Sequence, residues 1–332
     1  MSDTTQDTAA RQPETGPLAG PTAGPMAVAP EMPDQPPVGP KTALVSIVGR
    51  PSAGKSTFLN TASGEQISIV SAVPQTTRNA IRGIVNTSLG QLVFVDTPGL
   101  HISDKKLNLR LTRTAEDQIK DSDAILYIID TTRDHGDEEK LIASLVAPHA
   151  DKTVIALNKR DSAQSSLKKA QAFLAETFPD FAAERIIEMS ARDDRGVNDV
   201  LKALYELAPE APHLYPEEFY TDQEVDFRIS EIIRGEAMNR LDEELPHALY
   251  VRIEDMKMAS EKKLKVRASL CVERESQKGI VIGKGAAMIK QIRVASLKKC
   301  AEIFPYKVEL DLQVKVDKNW RQKDMVLNKI LR

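Results

Sequence analysis

The stretch GRPSAGKST, residues 49–57, follows the apolar run ALVSIVG (43–49) directly and opens a segment of helical character. It fits G-x-x-x-x-G-K-[ST], and no other feature constrains the fold as much, because the pattern works only as the loop between a strand and the helix that follows it. Its glycines, Gly49 and Gly54, let successive backbone N–H groups turn inward around phosphates. Lys55 brings positive charge to the β and γ oxygens, and the Ser56 hydroxyl is suited to Mg²⁺. Arg50, Pro51, Ser52, Ala53 and Thr57 complete the cradle. A lone match of this kind arises by chance, so the context and the motifs that follow have to decide.

The context agrees. Short apolar runs QLVFVDTPG (91–99), AILYIID (124–130) and TVIALNK (153–159) alternate with helical stretches, which predicts βαβ units and a mostly parallel sheet with helices on both faces. Within VDTPG, Asp96 is placed to hold Mg²⁺ through water, and the Gly99 N–H to sense a γ-phosphate, although the same residues taken alone make an ordinary turn. In NKRD, Asn158 and Lys159 lead to Asp161. A carboxylate there accepts from both N1–H and N2–H₂ of guanine, which adenine does not offer. Ser190, Ala191 and Arg192 form a short loop whose amides suit guanine O6, a weak signal that gains value only from its position after the others. Four elements in this order predict a switch that binds and hydrolyses GTP rather than a kinase or an ATPase.

At this point the chain resembles the translation-factor-related GTPases and, more closely, the Era family of bacterial ribosome-associated GTPases. The segment SAVPQTTRNAIRGI (71–84) is similar to that family's first switch, with its core at Pro74 to Arg78. The resemblance implies that Thr77, or its neighbour Thr76, closes over the γ-phosphate and Mg²⁺, with Lys55, Thr77 and Gly99 acting on the reacting phosphate. Ras-type switches carry a water-orienting glutamine where this chain has Leu100, so slow intrinsic turnover is expected. An asparagine that helps to hold K⁺ in related enzymes is replaced here by Ser52, a shorter and weaker ligand. His101 is a poor candidate for a base, since phosphate monoanions need little help of that kind.

The remainder of the chain divides by composition. Residues 1–40 hold nine of the 19 prolines and few aromatic or β-branched residues, which predicts a disordered tail. A GTPase domain is expected over 41–208, a proline-bearing linker over 209–222 and a smaller α+β domain over 223–332, read as α-β-β-α-α-β. From Lys257 to Arg332 there are 19 Lys and Arg against 8 Asp and Glu, so this part carries +11 of a chain whose overall charge is −3. That asymmetry suits an anionic partner, although a basic face is also often merely solvated. No apolar run approaches the roughly 20 residues that span a bilayer, and no secretory signal opens the chain, so a cytoplasmic location is expected. Cys271 and Cys300 lack metal or disulfide spacing and read as reduced, partly buried thiols.

One stretch of this basic part stands out. IVIGKGAAMIK (280–290) looks like an apolar strand-like run, a two-glycine turn and a helix, yet it does not complete a second phosphate loop. The element order instead places the turn Gly283-Lys284-Gly285-Ala286 between two helices. There it resembles the GXXG clamp of a type II KH domain, which holds about four nucleotides of single-stranded RNA and which the Era family places after its GTPase domain. Ala286 stands where that family has glycine, and a helical φ would accept it. Arg274, Lys278, Lys284, Lys290, Arg293, Lys298 and Lys299 supply phosphate-directed charge, and Ile282 and Ile289 an apolar floor for bases. Trp320 suits either base stacking or helix packing.

The resemblance implies that the RNA is the 3′ region of 16S ribosomal RNA, that the role is maturation of the small ribosomal subunit, and that the protein is a monomer with peripheral contact to the inner face of the cytoplasmic membrane. Two alternatives stay open: a nucleotide-gated RNA chaperone with negligible hydrolysis of its own, and a GTPase whose basic domain meets an acidic protein or a lipid.

Overall fold

The computed structural model describes residues 40–69, 81–96, 116–242 and 245–330. Six strands form the larger sheet: β1 (Lys41–Val48), β2 (Ile81–Thr87), β3 (Gly90–Asp96), β4 (Ala124–Asp130), β5 (Thr153–Asn158) and β6 (Ile186–Glu188). Their spatial order is β2-β3-β1-β4-β5-β6, parallel except for the β2–β3 hairpin. β4 shows why the run AILYIID becomes a central strand. Leu126 and Ile128 face one core with Val45, Phe58, Phe94 and Leu204, while Ile125, Tyr127 and Ile129 face another with Ile142, Val146 and Phe173. A strand buried on both faces needs apolar residues at every position, and each side chain so buried contributes about 1.5–3 kcal/mol. Helices Lys55–Ser63 and Val197–Leu207 cover the first face, and Asp137–Val146 and Leu167–Thr177 the second.

The second region has three strands in the order β7-β8-β9: β7 (Tyr250–Ser260), β8 (Lys263–Val272) and β9 (Lys307–Val316). β7 pairs antiparallel with β8, whereas β8 and β9 pair in parallel. Parallel pairing requires a crossover, and the helices Glu275–Ile282 and Ala287–Ile303 provide it. The helix Val225–Met238 packs on Ala287–Ile303 through a core shared by Ile229, Ile233, Ala237, Ile292 and Cys300. The fold is thus an α/β domain with a mostly parallel sheet and helices on both faces, followed by a smaller α+β domain in the expected order α-β-β-α-α-β. Ile280–Ile282 is not strand-like as its apolar run suggests. It closes a helix, and its last turn is ended by Gly283.

Between the two, residues 214–221 run along β2. Ile84 N–H donates to Tyr220 O at 2.9 Å, Thr221 Oγ1 to Arg82 O at 2.8 Å and Asn86 Nδ2 to Glu217 O at 2.9 Å. Both cysteines are free and fully buried, more so than composition suggests, and burial pushes the Cys300 thiol up to about 12. Among the described residues no helix is long and apolar enough to cross a membrane. The expected tail, the first-switch core Pro74 to Arg78 with Thr76 and Thr77, and Gly99, Leu100 and His101 lie outside the described residues.

Candidate functional site

Residues 49–54 wrap into a loop that its two glycines allow. Gly49 has φ +152°, and a Cβ there would lie 2.4 Å from the backbone oxygen of Ile128. Gly54 has φ +105°, and its Cβ would lie 2.2 Å from Asn158 Nδ2. Ser52 also sits in the left-handed region, at φ +63°. Lys55, Ser56 and Thr57 then form the first turn of the Lys55–Ser63 helix. That turn has no acidic residue and no side-chain cap, so its N–H groups and the positive end of the helix dipole favour an anion. Lys55 is buried inside the loop, its Nζ donating to Gly49 O at 2.9 Å and Arg50 O at 3.0 Å, and burial lowers its pKa. Arg50 points away from the loop, donating to Asp134 O at 3.0 Å and pairing with Glu138 at 3.5 Å. Its role is to brace the loop.

Parallel pairing of β1 and β3 sets Asp96 opposite Ile47, close to the start of the loop. The carboxylate is fully buried, and its Oδ2 accepts from Ser56 Oγ at 2.7 Å and from Ser68 Oγ at 3.1 Å. Ser68 has no motif to announce it. Its backbone is fixed by Asn60, whose Oδ1 accepts from the N–H groups of Ile67 and Ser68, at 2.9 Å each, while Asn60 Nδ2 donates to Ser68 O at 2.9 Å.

At the other end of the loop Asn158 joins three elements. Its Nδ2 donates to Ala53 O at 2.8 Å, and its Oδ1 accepts from the Ala191 N–H at 3.0 Å. Lys159, at φ +70°, donates to the buried Asp130 at 2.7 Å. Burial pushes the Asp130 carboxyl up, but the hydrogen bonds from Lys159 and Thr132 outweigh it and hold the group below the usual carboxylate range. Asp161 Oδ1 accepts from Ser190 Oγ at 2.7 Å, and Oδ2 pairs with the exposed Arg192 at 2.9 Å. The residues from NKRD and from the 190–192 loop therefore meet in one place, although Asp161 and Ser190 stand 29 positions apart in sequence.

The second candidate site is the turn 283–286. Gly283 has φ +74°, and a Cβ would come within 2.9 Å of the Met288 backbone nitrogen, so glycine is required. Gly285 and Ala286 follow at φ +59° and +61°. Ala286 therefore does not take the helical φ expected of it. The chain must reverse within the turn before the next helix starts, and the left-handed conformation falls on a residue with a Cβ. Lys284 and Lys290 are exposed. Arg293 is exposed as well, although its Nε donates to Leu310 O of β9 at 2.6 Å, which leaves only part of the guanidinium for a ligand. Ile282 and Ile289 are half-buried against the core, and the most exposed apolar surface nearby comes from Ile280, which no motif marks. Trp320 is not available for stacking. It is fully buried, donates Nε1–H to Ala248 O at 3.0 Å and packs on Tyr250, so it is a structural residue.

Comparison with known proteins gives the same division. A family model described as 50S ribosome-binding GTPase matches residues 44–159, and one described as KH domain matches 244–321. The protein named GTPase Era from Treponema denticola is 58% identical over 290 residues, covering 87% of this chain and 99% of that one. The protein of the same name from Treponema pallidum is 43% identical over 311 residues, covering 88% and 98%. Among solved structures, a single-residue variant of Aquifex aeolicus Era bound to GDP·AlF4⁻ superposes with a TM-score of 0.81 at 29% identity, covering 87% of this chain and 98% of that one. Era in complex with MgGDPNP and nucleotides 1506–1542 of 16S ribosomal RNA gives 0.82 at 28%, with the same coverage.

Proposed function

The chain belongs to the family of Era GTPases, and from that premise we propose that it is a GTP-hydrolysing switch that binds the 3′ region of 16S ribosomal RNA through its KH domain and assists maturation of the small ribosomal subunit. The observation that best supports the nucleotide half is the double hold of Asn158 on Ala53 and Ala191. It fixes the distance between a phosphate loop and a base-reading loop, as a ligand with both ends requires.

In this reading the backbone N–H groups of residues 52–57 bind phosphates. Lys55 already lies inside the loop and turns from the Gly49 and Arg50 carbonyls to the β and γ oxygens. A hydroxyl and a buried carboxylate 2.7 Å apart are hard oxygen donors of the kind Mg²⁺ takes, so Ser56 and Asp96, with Thr77, would hold that ion. When bound, it supplies positive charge between the β and γ phosphates. Asp161 reads guanine, and Ser190 and Arg192 orient its carboxylate. Leu100 offers no group to polarise water, so turnover without a partner is slow. Ser52 is proposed as a weak K⁺ ligand, and equal turnover in K⁺ and Na⁺ would remove that role. A GTPase region over 41–208, a linker over 209–222, a KH region over 223–332, a monomeric state and peripheral contact with the inner membrane are part of the same proposal.

Asp161→Asn tests the nucleotide half. It should weaken GTP by about 10- to 100-fold, the worth of a charge-assisted hydrogen bond pair, and improve binding of xanthosine triphosphate. An unchanged preference for GTP overturns the assignment. For the RNA half, affinity for a single-stranded 16S 3′ fragment should fall steeply with salt. Failure to bind it at any salt favours the acidic-protein or lipid partner instead.

A further inference from the structure

Ser68 and Ile69 sit where the nucleotide site and the Val225–Met238 helix come together. Ser68 is buried and donates to the carboxylate of Asp96 at 3.1 Å. Its position is not adaptable, because Asn60 grips the backbone of residues 67–68 with three hydrogen bonds of 2.9 Å from the helix that starts at Lys55. One residue on, Ile69 lies so close over Gly235 that a Cβ on that glycine would be 2.9 Å from Ile69 Cγ2. Gly235 belongs to the Val225–Met238 helix, where a glycine is generally disfavoured relative to alanine and here admits Ile69 against the helix backbone. That helix packs directly on Ala287–Ile303, which carries Lys290 and Arg293. A cleft of about 100 Å³ lined by Gln66, Ser68, Ile69, Arg228, Gly235 and Lys299 leaves space for the joint to shift.

We propose that Ser68 is a positioning residue for Asp96 and that, with Ile69 against Gly235, it forms the joint that transmits the nucleotide state to the Val225–Met238 helix and through it to the Ala287–Ile303 helix, which follows the RNA turn. The proposal rests on the reading of Asp96 as part of the Mg²⁺–GTP site. When Asp96 reorients toward that ligand, the hydrogen bond from Ser68 either follows or breaks. Where it follows, Ser68 carries Ile69 with it through the peptide bond between them; where it breaks, both are released from Asp96 and stay with Asn60, which holds the Ser68 backbone. Interiors respond to such changes by discrete repacking rather than by smooth deformation.

Hydrogen exchange on the full chain tests this without any RNA. At saturating nucleotide, wild-type protein with Mg²⁺ and a nonhydrolysable GTP analogue should differ at least threefold from the GDP form in exchange of the amides near Gly235. Ser68→Ala should lose that difference, and Ser68→Thr, which keeps the hydroxyl, should restore it. Gly235→Ala, which displaces Ile69, should also lose it. A wild type with no difference, or a Ser68→Ala protein that keeps the full difference, overturns the joint. Binding of the nucleotide 1506–1542 RNA fragment is measured in parallel. Absence of RNA binding by the wild type, with the exchange pattern intact, counts against the RNA function and leaves the joint standing.

Discussion

The phosphate loop and the 283–286 turn are both glycine turns that launch a helix, and they differ in what surrounds them. In the loop, the backbone oxygen of Ile128 and the amide of Asn158 press on Gly49 and Gly54, and the cation Lys55 is buried. In the turn, Gly285 has nothing within 4 Å of where its Cβ would be, and the cation Lys284 is exposed. In the proposed reading the first encloses a compact polyphosphate on several sides, while the second offers one open flank to an RNA strand that continues past it. Glycine in the loop answers to contact with distant strands, whereas in the turn Gly283 answers to the neighbouring Met288 and Gly285 to backbone conformation alone.

The largest expected effect breaks that contrast from the loop side. Gly49→Ala combines a backbone collision with a conformation closed to L-residues, and should destabilise the protein by about 3 kcal/mol or more and abolish binding of a fluorescent GDP analogue. If the variant melts near wild type and binds GDP, the loop is not enclosed as described. Ala286→Gly probes the turn and should have the opposite sign. Removing a Cβ from a left-handed residue should stabilise the protein by about 1 kcal/mol in urea unfolding and tighten RNA binding modestly. An unchanged midpoint would show that the turn relaxes around alanine at no cost.

The smallest effect contrasts two carboxylates, one in each region. Glu139 is buried, accepts from the Tyr127 hydroxyl at 2.5 Å, and burial raises its pKa. Glu254 is held at about 2, chiefly by the Lys315 hydrogen bond, with Ser269 and Arg252 adding to it. The signs are opposite. A raised carboxyl contributes stability below its unfolded value of about 4.5 and loses it as pH rises through the folded value. A depressed one contributes above its unfolded value and loses that as pH falls toward 2. Glu139→Gln should therefore flatten the loss of stability above pH 4.5, and Glu254→Gln should flatten the acid limb. Thermal midpoints from acid to neutral pH would show both, and parallel curves for the two variants would sink the distinction.

What the sequence made legible follows from which forces act locally. The run 124–130 is β4 at the predicted residues, because burial on both faces writes itself into consecutive side chains. β2 leaves no such trace, since IRGIVNT carries a glycine and polar residues, and its strand character comes from pairing with β3. The motif residues from Gly49 to Ala191 that fall within the described chain cluster as their order suggested. Ser68 is silent, because its hydrogen bond to Asp96, 28 residues away, leaves no spacing to read. Ala286 departs from expectation for a related reason: its φ is set by the reversal of the turn around it, which composition does not encode.

The segment 214–221 has a consequence of another kind. β2 is the edge of the larger sheet, and an open edge offers unpaired N–H and C=O groups to any passing strand. Here Tyr220 O accepts from the Ile84 N–H and the Thr221 hydroxyl donates to the Arg82 carbonyl, while Glu217 O holds the side chain of Asn86 beside them. The stretch that leads from one domain to the other therefore also guards the sheet against aggregation. A truncated chain ending before residue 214 would keep its nucleotide motifs and expose a sticky edge.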